Sequence, residues 1–155
     1  MFCLDAATGD EIWSQKYDTL RLENEHAGGT LTTPTVDGDD VFVLNREGVL
    51  RCFDAATGEI RWENDFRAIG ARYQRYGFGS SPVVIGDTVY LNVDSTIAVK
   101  RDTGDIVWRS ESLDAFYATP CPFELDGEPC FAVFGATGLS VVAQDDGDVL
   151  YPVSY

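Results

Sequence analysis

The chain has 155 residues, with 26 Asp and Glu against 11 Lys and Arg, for a formal net charge of −15. One domain's worth of length, with 45% hydrophobic and 12% aromatic residues, supports a core and excludes a disordered acidic tail. The charge argues against nucleic acid, whose phosphates need clustered Lys and Arg, and against an anionic membrane surface. No apolar run approaches the roughly 20 residues that span a bilayer.

In chain order, residues 1–17 read as the last two strands of a unit: Phe2-Cys3-Leu4, a Thr8-Gly9 turn, then Ile12-Trp13. Pro34 opens a complete unit over about 31–66, with Asp37-Gly38-Asp39 as its first turn; Asp and Gly supply the backbone shapes such turns need. Val41–Leu44, Val49–Phe53 and Ile60–Trp62 follow, separated by Arg46-Glu47-Gly48 and Thr57-Gly58. A second unit, about 80–110, carries strands at 83–85, 89–93, 96–99 and 106–108. A third, about 118–155, carries them at 121–125, 130–134, 139–143 and 149–153. No segment holds a helical period, and the prolines sit near strand ends, where a missing N–H does least harm.

These units repeat one another. Asp5-Ala6-Ala7-Thr8-Gly9-Asp10-Glu11-Ile12-Trp13 returns as Asp54-Ala55-Ala56-Thr57-Gly58-Glu59-Ile60-Arg61-Trp62. It returns again as Lys100-Arg101-Asp102-Thr103-Gly104-Asp105-Ile106-Val107-Trp108, and more faintly from Ala143 to Tyr151. Thr33-Pro34, Ser81-Pro82 and Thr119-Pro120 recur in phase. Four short antiparallel strands every 43–49 residues predict an all-β fold of propeller blades.

The Asp-Ala-Ala-Thr-Gly-x-x-x-Trp units resemble the tryptophan-docking repeats of PQQ-type β-propellers, the superfamily of quinoprotein alcohol dehydrogenases and of the propeller lipoprotein of outer-membrane protein assembly. The spacing of Thr33–Val41 ahead of Cys52–Gly58 is most similar to exported bacterial, planctomycete-like members. The resemblance implies that Trp13, Trp62, Trp108 and the substitute Tyr151 staple one blade to the next. Gly9, Gly58, Gly104 and Gly147 would be their platforms, and Cys3, Cys52, Ala98 and Val141 the small positions beneath them. Glycine permits the close approach, and a broad ring buries much apolar area. Lys100 and Ala143, standing where the first two copies have Asp, suggest looser docking in the later blades.

The resemblance also implies an eight-bladed ring, of which this chain supplies about three and a half blades. It therefore reads as a piece of a longer propeller, with the remaining blades as partners. Quinone dehydrogenases of the superfamily bind calcium through Glu, Asn and Asp and carry a disulfide between adjacent cysteines. This sequence has no adjacent pair and no evident calcium set, so no metal or cofactor is expected; PQQ with calcium belongs to the alternative reading. The Asp37-Asp39-Asp40 and Asp145-Asp146-Asp148 groups read as solvated turns. Cys121 and Cys130 flank an Asp126-Gly127 turn as diagonal neighbours, within reach of a disulfide in an exported protein. His26 is the only histidine, and no nucleophile elbow or phosphate loop accompanies it, so no catalytic residues are assigned.

Recognition is expected on the longer loops between blades, since loops on a rigid scaffold commonly carry it. The middle loop concentrates Arg67, Arg72, Tyr73, Arg75 and Tyr76 in a strongly acidic chain, and Arg and Tyr are enriched at binding hot spots. His26 and Tyr117 would lie around the same opening. The competing reading pairs these arginines with nearby carboxylates. The expectation is a non-catalytic binding or assembly scaffold for protein or carbohydrate, in a periplasmic or extracytoplasmic protein without membrane insertion. The alternative is a segment of a quinone-dependent dehydrogenase.

Overall fold

The computed structural model describes residues 1–18, 30–72, 76–136 and 138–154. Its strands form four antiparallel sheets. β1 (Phe2–Leu4) pairs with β2 (Glu11–Ser14). The second sheet runs β3 (Thr35–Asp37), β4 (Asp40–Leu44), β5 (Val49–Asp54) and β6 (Ile60–Asp65) in sequence order. The third repeats this with β7 (Val83–Ile85), β8 (Thr88–Val93), β9 (Ser95–Lys100) and β10 (Ile106–Arg109). The fourth does so with β11 (Cys121–Leu125), β12 (Glu128–Gly135), β13 (Gly138–Ala143) and β14 (Val149–Ser154). Among the described residues the one helical element is a 3-10 turn, Phe66–Ile69. The all-β class and the four-stranded meander are those the repeat predicts.

The sheets stack face to face, which explains why the central strands read as unbroken apolar runs. Side chains alternate across a strand, yet β4 is buried along its whole length because both its faces are covered. Phe42, Leu44 and Leu50 pack with Val89, Leu91, Val93, Ile97 and Val99 of the third sheet. Val41, Val43 and Phe53 face the other way, against Met1 and Tyr17. Tyr90 and Ala98 continue the stack onto Phe131, Val133 and Val142 of the fourth. At its two ends the stack leaves apolar side chains in solvent, Phe2 and Ile12 on one side and Phe134 and Tyr151 on the other.

Each seam carries the same indole contact. Trp13 pairs in register with Cys3, Trp62 with Cys52, Trp108 with Ala98, and Tyr151 with Val141. The Trp13 Nε1–H donates to Ala55 O at 2.9 Å, Trp62 to Arg101 O at 2.9 Å and Trp108 to Gln144 O at 3.2 Å. A Cβ on Gly58 would lie 2.5 Å from Trp13, and one on Gly104 2.5 Å from Trp62; Gly147 is similarly covered by Trp108. A Cβ on Gly9 would meet nothing within 4 Å among the described residues, and Tyr151 is exposed.

The expectation of looser docking on turns lacking Asp does not hold for Trp62, whose hydrogen bond onto the Lys100–Gly104 turn is as short as that of Trp13. The reason is local. Asp5 and Asp54 cap their own turns, each Oδ1 accepting the N–H groups two and three residues on. The indole binds a backbone carbonyl instead. Without the carboxylate the turn keeps its backbone closure, Gly104 N–H to Lys100 O at 2.9 Å, so the indole finds the same platform.

The in-phase Thr/Ser-Pro signature acts at the opposite edge of the sheets. Thr33 N–H donates to Ser81 Oγ at 2.9 Å, and Ser81 N–H donates to Thr119 Oγ1 at 3.0 Å. Each hydroxyl thus catches the amide of the equivalent residue one sheet earlier, while proline next in line holds the chain extended. The Asp126-Gly127 turn is a two-residue hairpin with both φ positive, 53° and 88°, as the primed turns require. Cys121 and Cys130 lie diagonally across it and are free thiols.

Candidate interaction rim

Connections alternate between two rims. On the first, the β4–β5 turn meets the loops that join successive sheets. Asp65 starts the 3-10 turn by accepting the Arg67 N–H at 3.0 Å, and Gly70 ends it with φ 83°, which glycine adopts without a Cβ penalty. This fold-back buries Phe66 and brings the Arg67 side chain onto Asp65 at 2.6 Å and onto Glu47 at 3.4 Å. The Arg67 guanidinium holds the Asp65 carboxyl below the usual carboxylate range. Arg67 is therefore committed to carboxylates, the competing reading for the arginines of this loop. Arg72 is exposed.

Beyond the 3-10 turn the chain packs tightly before reaching the third sheet. Arg46, itself buried, donates from Nε to Tyr76 O at 3.1 Å, and its carbonyl accepts the Phe78 N–H at 2.9 Å. Gly77 makes this approach feasible, since a Cβ there would come within 2.6 Å of Arg46 O. Phe78 and Phe116 are buried with ring centres 6.4 Å apart. Above them Tyr76 and Tyr117 sit 6.4 Å apart, with 37% and 45% of their surface exposed. The Tyr76 N–H points at the Tyr117 hydroxyl at 3.4 Å. Two loops from different sheets thus present two tyrosines over a closed phenylalanine base, with Arg72 nearby in sequence. Such a surface offers flat apolar contact and hydroxyl hydrogen bonds to a partner. His26, Tyr73 and Arg75 lie outside the described residues.

The opposite rim holds the Asp-Gly and Thr-Gly turns, joined by Ala55 N–H to Asp39 O at 2.9 Å. Here the reading of Asp37-Asp39-Asp40 as solvated turns holds for the exposed Asp39 and needs correction at Asp40. Asp40 is 9% exposed, and Asp37 and Asp40 are bound by Arg101 of the next sheet. Single-sequence reasoning had no signal for this contact beyond Arg101 itself, which replaces the alanine of the first two copies. A cavity of about 670 Å³ opens beside it, lined by Asp40, Cys52, Arg61, Trp62, Lys100 and Arg101 among others.

Calcium would take oxygen ligands from side chains of the described residues. Among them, no three His, Cys, Asp or Glu side chains are arranged to hold a metal ion. The carboxylates that converge, Asp37, Asp40 and Asp54, do so around guanidiniums, and no two cysteines are adjacent in the chain. No helix of the described residues is long and apolar enough to cross a membrane.

The family described as outer membrane protein assembly factor BamB matches residues 2–151. The crystal structure of BamB from Moraxella catarrhalis superposes with a TM-score of 0.64 at 19% identity, over 96% of this chain and 44% of that one. Quinohemoprotein alcohol dehydrogenase ADHIIG from Pseudomonas putida HK5 superposes with a TM-score of 0.68 at 18% identity, over 97% of this chain and 31% of that one. In sequence, methanol dehydrogenase [cytochrome c] subunit 1 from Paracoccus denitrificans is 27% identical over 92 residues, which is 59% of this chain and 14% of that protein. The chain spans less than half the length of each of these relatives, and the likeness to the two solved structures shows the propeller fold alone.

Proposed function

Because the chain belongs to the family of outer membrane protein assembly factor BamB, we propose that it is a non-catalytic propeller scaffold whose interaction rim binds a protein partner outside the cytoplasm. One observation carries this reading. Tyr76 and Tyr117 are half-exposed in fixed positions over the buried Phe78 and Phe116. Rigid aromatic side chains give contact area at little cost in conformational entropy. The indole-stapled seams support the scaffold role, because they let two loops from different blades hold one surface. Remaining blades of the same ring, eight in all by the family's pattern, complete the setting in this reading.

Redox catalysis is the second reading, favoured by the match to the methanol dehydrogenase subunit. It draws no support from the described side chains, so no step is derived through a quinone. The experiment that separates the two uses the native full-length protein in its own cells. A photo-crosslinking residue at position 117 should trap a defined polypeptide partner, while one at position 103, on the opposite rim, should not. Crosslinking that is equal from the two rims, or alcohol-dependent dye reduction by the purified protein with added quinone and calcium, would overturn the scaffold reading.

A further inference from the structure

The seam between β3–β6 and β7–β10 carries a charged cluster. Arg101, on the β9–β10 turn, donates from Nε to Asp40 Oδ2 at 2.8 Å, from Nη1 to Asp37 Oδ2 at 2.5 Å and from Nη2 to Asp37 O at 2.7 Å. Arg61, on β6, donates to Asp40 Oδ1 at 2.7 Å and to Asp54 Oδ2 at 2.6 Å. One oxygen of the Asp40 carboxylate is therefore taken by a guanidinium of its own blade and the other by a guanidinium of the next. The Cys52 thiol also points at Asp40 Oδ1, at 3.6 Å; burial, followed by the charge of Asp40, pushes that thiol up to about 12. Three carboxylates and two guanidiniums share a site in which the Asp40 side chain is only 13% exposed.

The next seam along the chain shows what this cluster is not needed for. Matching the repeats residue by residue, Asp37, Asp40, Arg61 and Arg101 correspond to Ile85, Thr88, Val107 and Gln144. All four charges are absent together, and Cys52 becomes Ala98. Trp108 nevertheless reaches the Gln144 carbonyl, so the generic staple closes a seam without these four charges. The charges must add something the staple lacks. The staple is the same at every seam and cannot tell one blade from another. A blade with Ala or Gln at the position of Arg101 would leave the half-exposed Asp37 without its guanidinium and the shielded Asp40 with only one, and a shielded charge short of a partner is costly.

We propose that the Asp37–Asp40–Arg61–Arg101 cluster is an address that fixes which blade docks on residues 31–66, accepting a neighbour with a guanidinium at position 101 and rejecting the other blades of the array. Arg101 is the specificity-determining residue, because its planar fork spans Asp37 and Asp40 at once.

The three tryptophans make this testable in the intact 155-residue chain, since each indole N–H reports on one seam. Hydrogen exchange of the indole protons is followed by NMR. In R101Q, exchange at Trp62 should speed up by about tenfold or more, as expected for a loss on the scale of one charge-assisted bond, while Trp13 and Trp108 change by less than about twofold. The fully converted variant D37I/D40T/R61V/R101Q, which copies the neighbouring seam, should regain most of the Trp62 protection, because it removes the mismatch along with the match. In the unmodified chain, raising salt from about 20 to about 500 mM should speed exchange at Trp62 more than at Trp108. Unchanged Trp62 protection in R101Q would overturn the proposal. So would a converted variant as exchange-prone as R101Q, which would reduce the cluster to ordinary stabilisation, or an equal salt response at the two indoles, which needs no variant to fold.

Discussion

Gly9 and Gly58 occupy equivalent turns with nearly the same backbone, φ 78° and 75°, yet only Gly58 lies beneath an indole. Alanine at either position incurs the left-handed strain of about 1–2 kcal/mol. At Gly58 it must also displace Trp13, a further overpacking cost of about 1–3 kcal/mol. Urea denaturation should therefore give G58A a midpoint clearly below that of G9A, and equal midpoints would show that the indole contact contributes little. The glycines and the Cys3, Cys52 and Ala98 register partners are legible in the sequence, because the repeat aligns them by count alone. Arg101 is not. Its partners lie more than 60 residues away on another rim turn, and no periodicity links them.

At the level of the element, the Thr-Gly turn combines a backbone closure with a carboxylate cap that belongs to the first two copies. Asp54 is the better example, since it caps Ala56 and Thr57 and also accepts from Arg61. The Arg61 hydrogen bond, with the turn amides behind it, lowers its carboxyl from 3.8 to about 2. A carboxyl depressed by folding contributes stability that is present above its unfolded value and disappears as pH falls through its folded one. Urea midpoints should thus decline between about pH 4 and pH 2, and D54N should lose part of that decline while starting from a lower plateau at neutral pH. A D54N profile parallel to that of the unmodified chain would assign the acid sensitivity elsewhere. The Thr/Ser-Pro signature was legible as a mark of the period but not in its role. A hydroxyl one residue before proline reads as an ordinary strand start, and only the stacked sheets bring it to the amide of its counterpart.

Across the whole molecule, sheets that cover one another in the middle leave apolar faces at the ends. Phe2 is 68% exposed, and Phe134 and Tyr151 are each 57% exposed. Apolar sheet faces favour association, while a net charge of −15 opposes it through repulsion that salt screens. Sedimentation of the 155-residue chain should accordingly show association that rises with protein concentration and with salt, and F134E should reduce it. A strict monomer at high salt would show that these faces are protected. The fold was readable because four-stranded units repeat with internal marks. The candidate rim was readable only in composition: Arg67 stands out in the sequence, but the structure commits it to Asp65 and Glu47, and the pairing of Tyr76 with Tyr117 depends on two loops 41 residues apart.

The hydroxyl-to-amide links and the indole links both run from one blade to the next and never back, so the array has a head and a tail. Such a one-way lattice with nearest-neighbour contacts can lose a unit without losing its grammar. Excising residues 59–104 would join Gly58 to Asp105, keep Trp13 over Gly58 and keep Trp108 over Gly147. It would also strand Asp37 and Asp40 opposite Gln144. Gene slippage by one repeat, harmless to a uniform array, would here leave an electrostatic scar, so the proposed address would guard the blade count as well as the blade order.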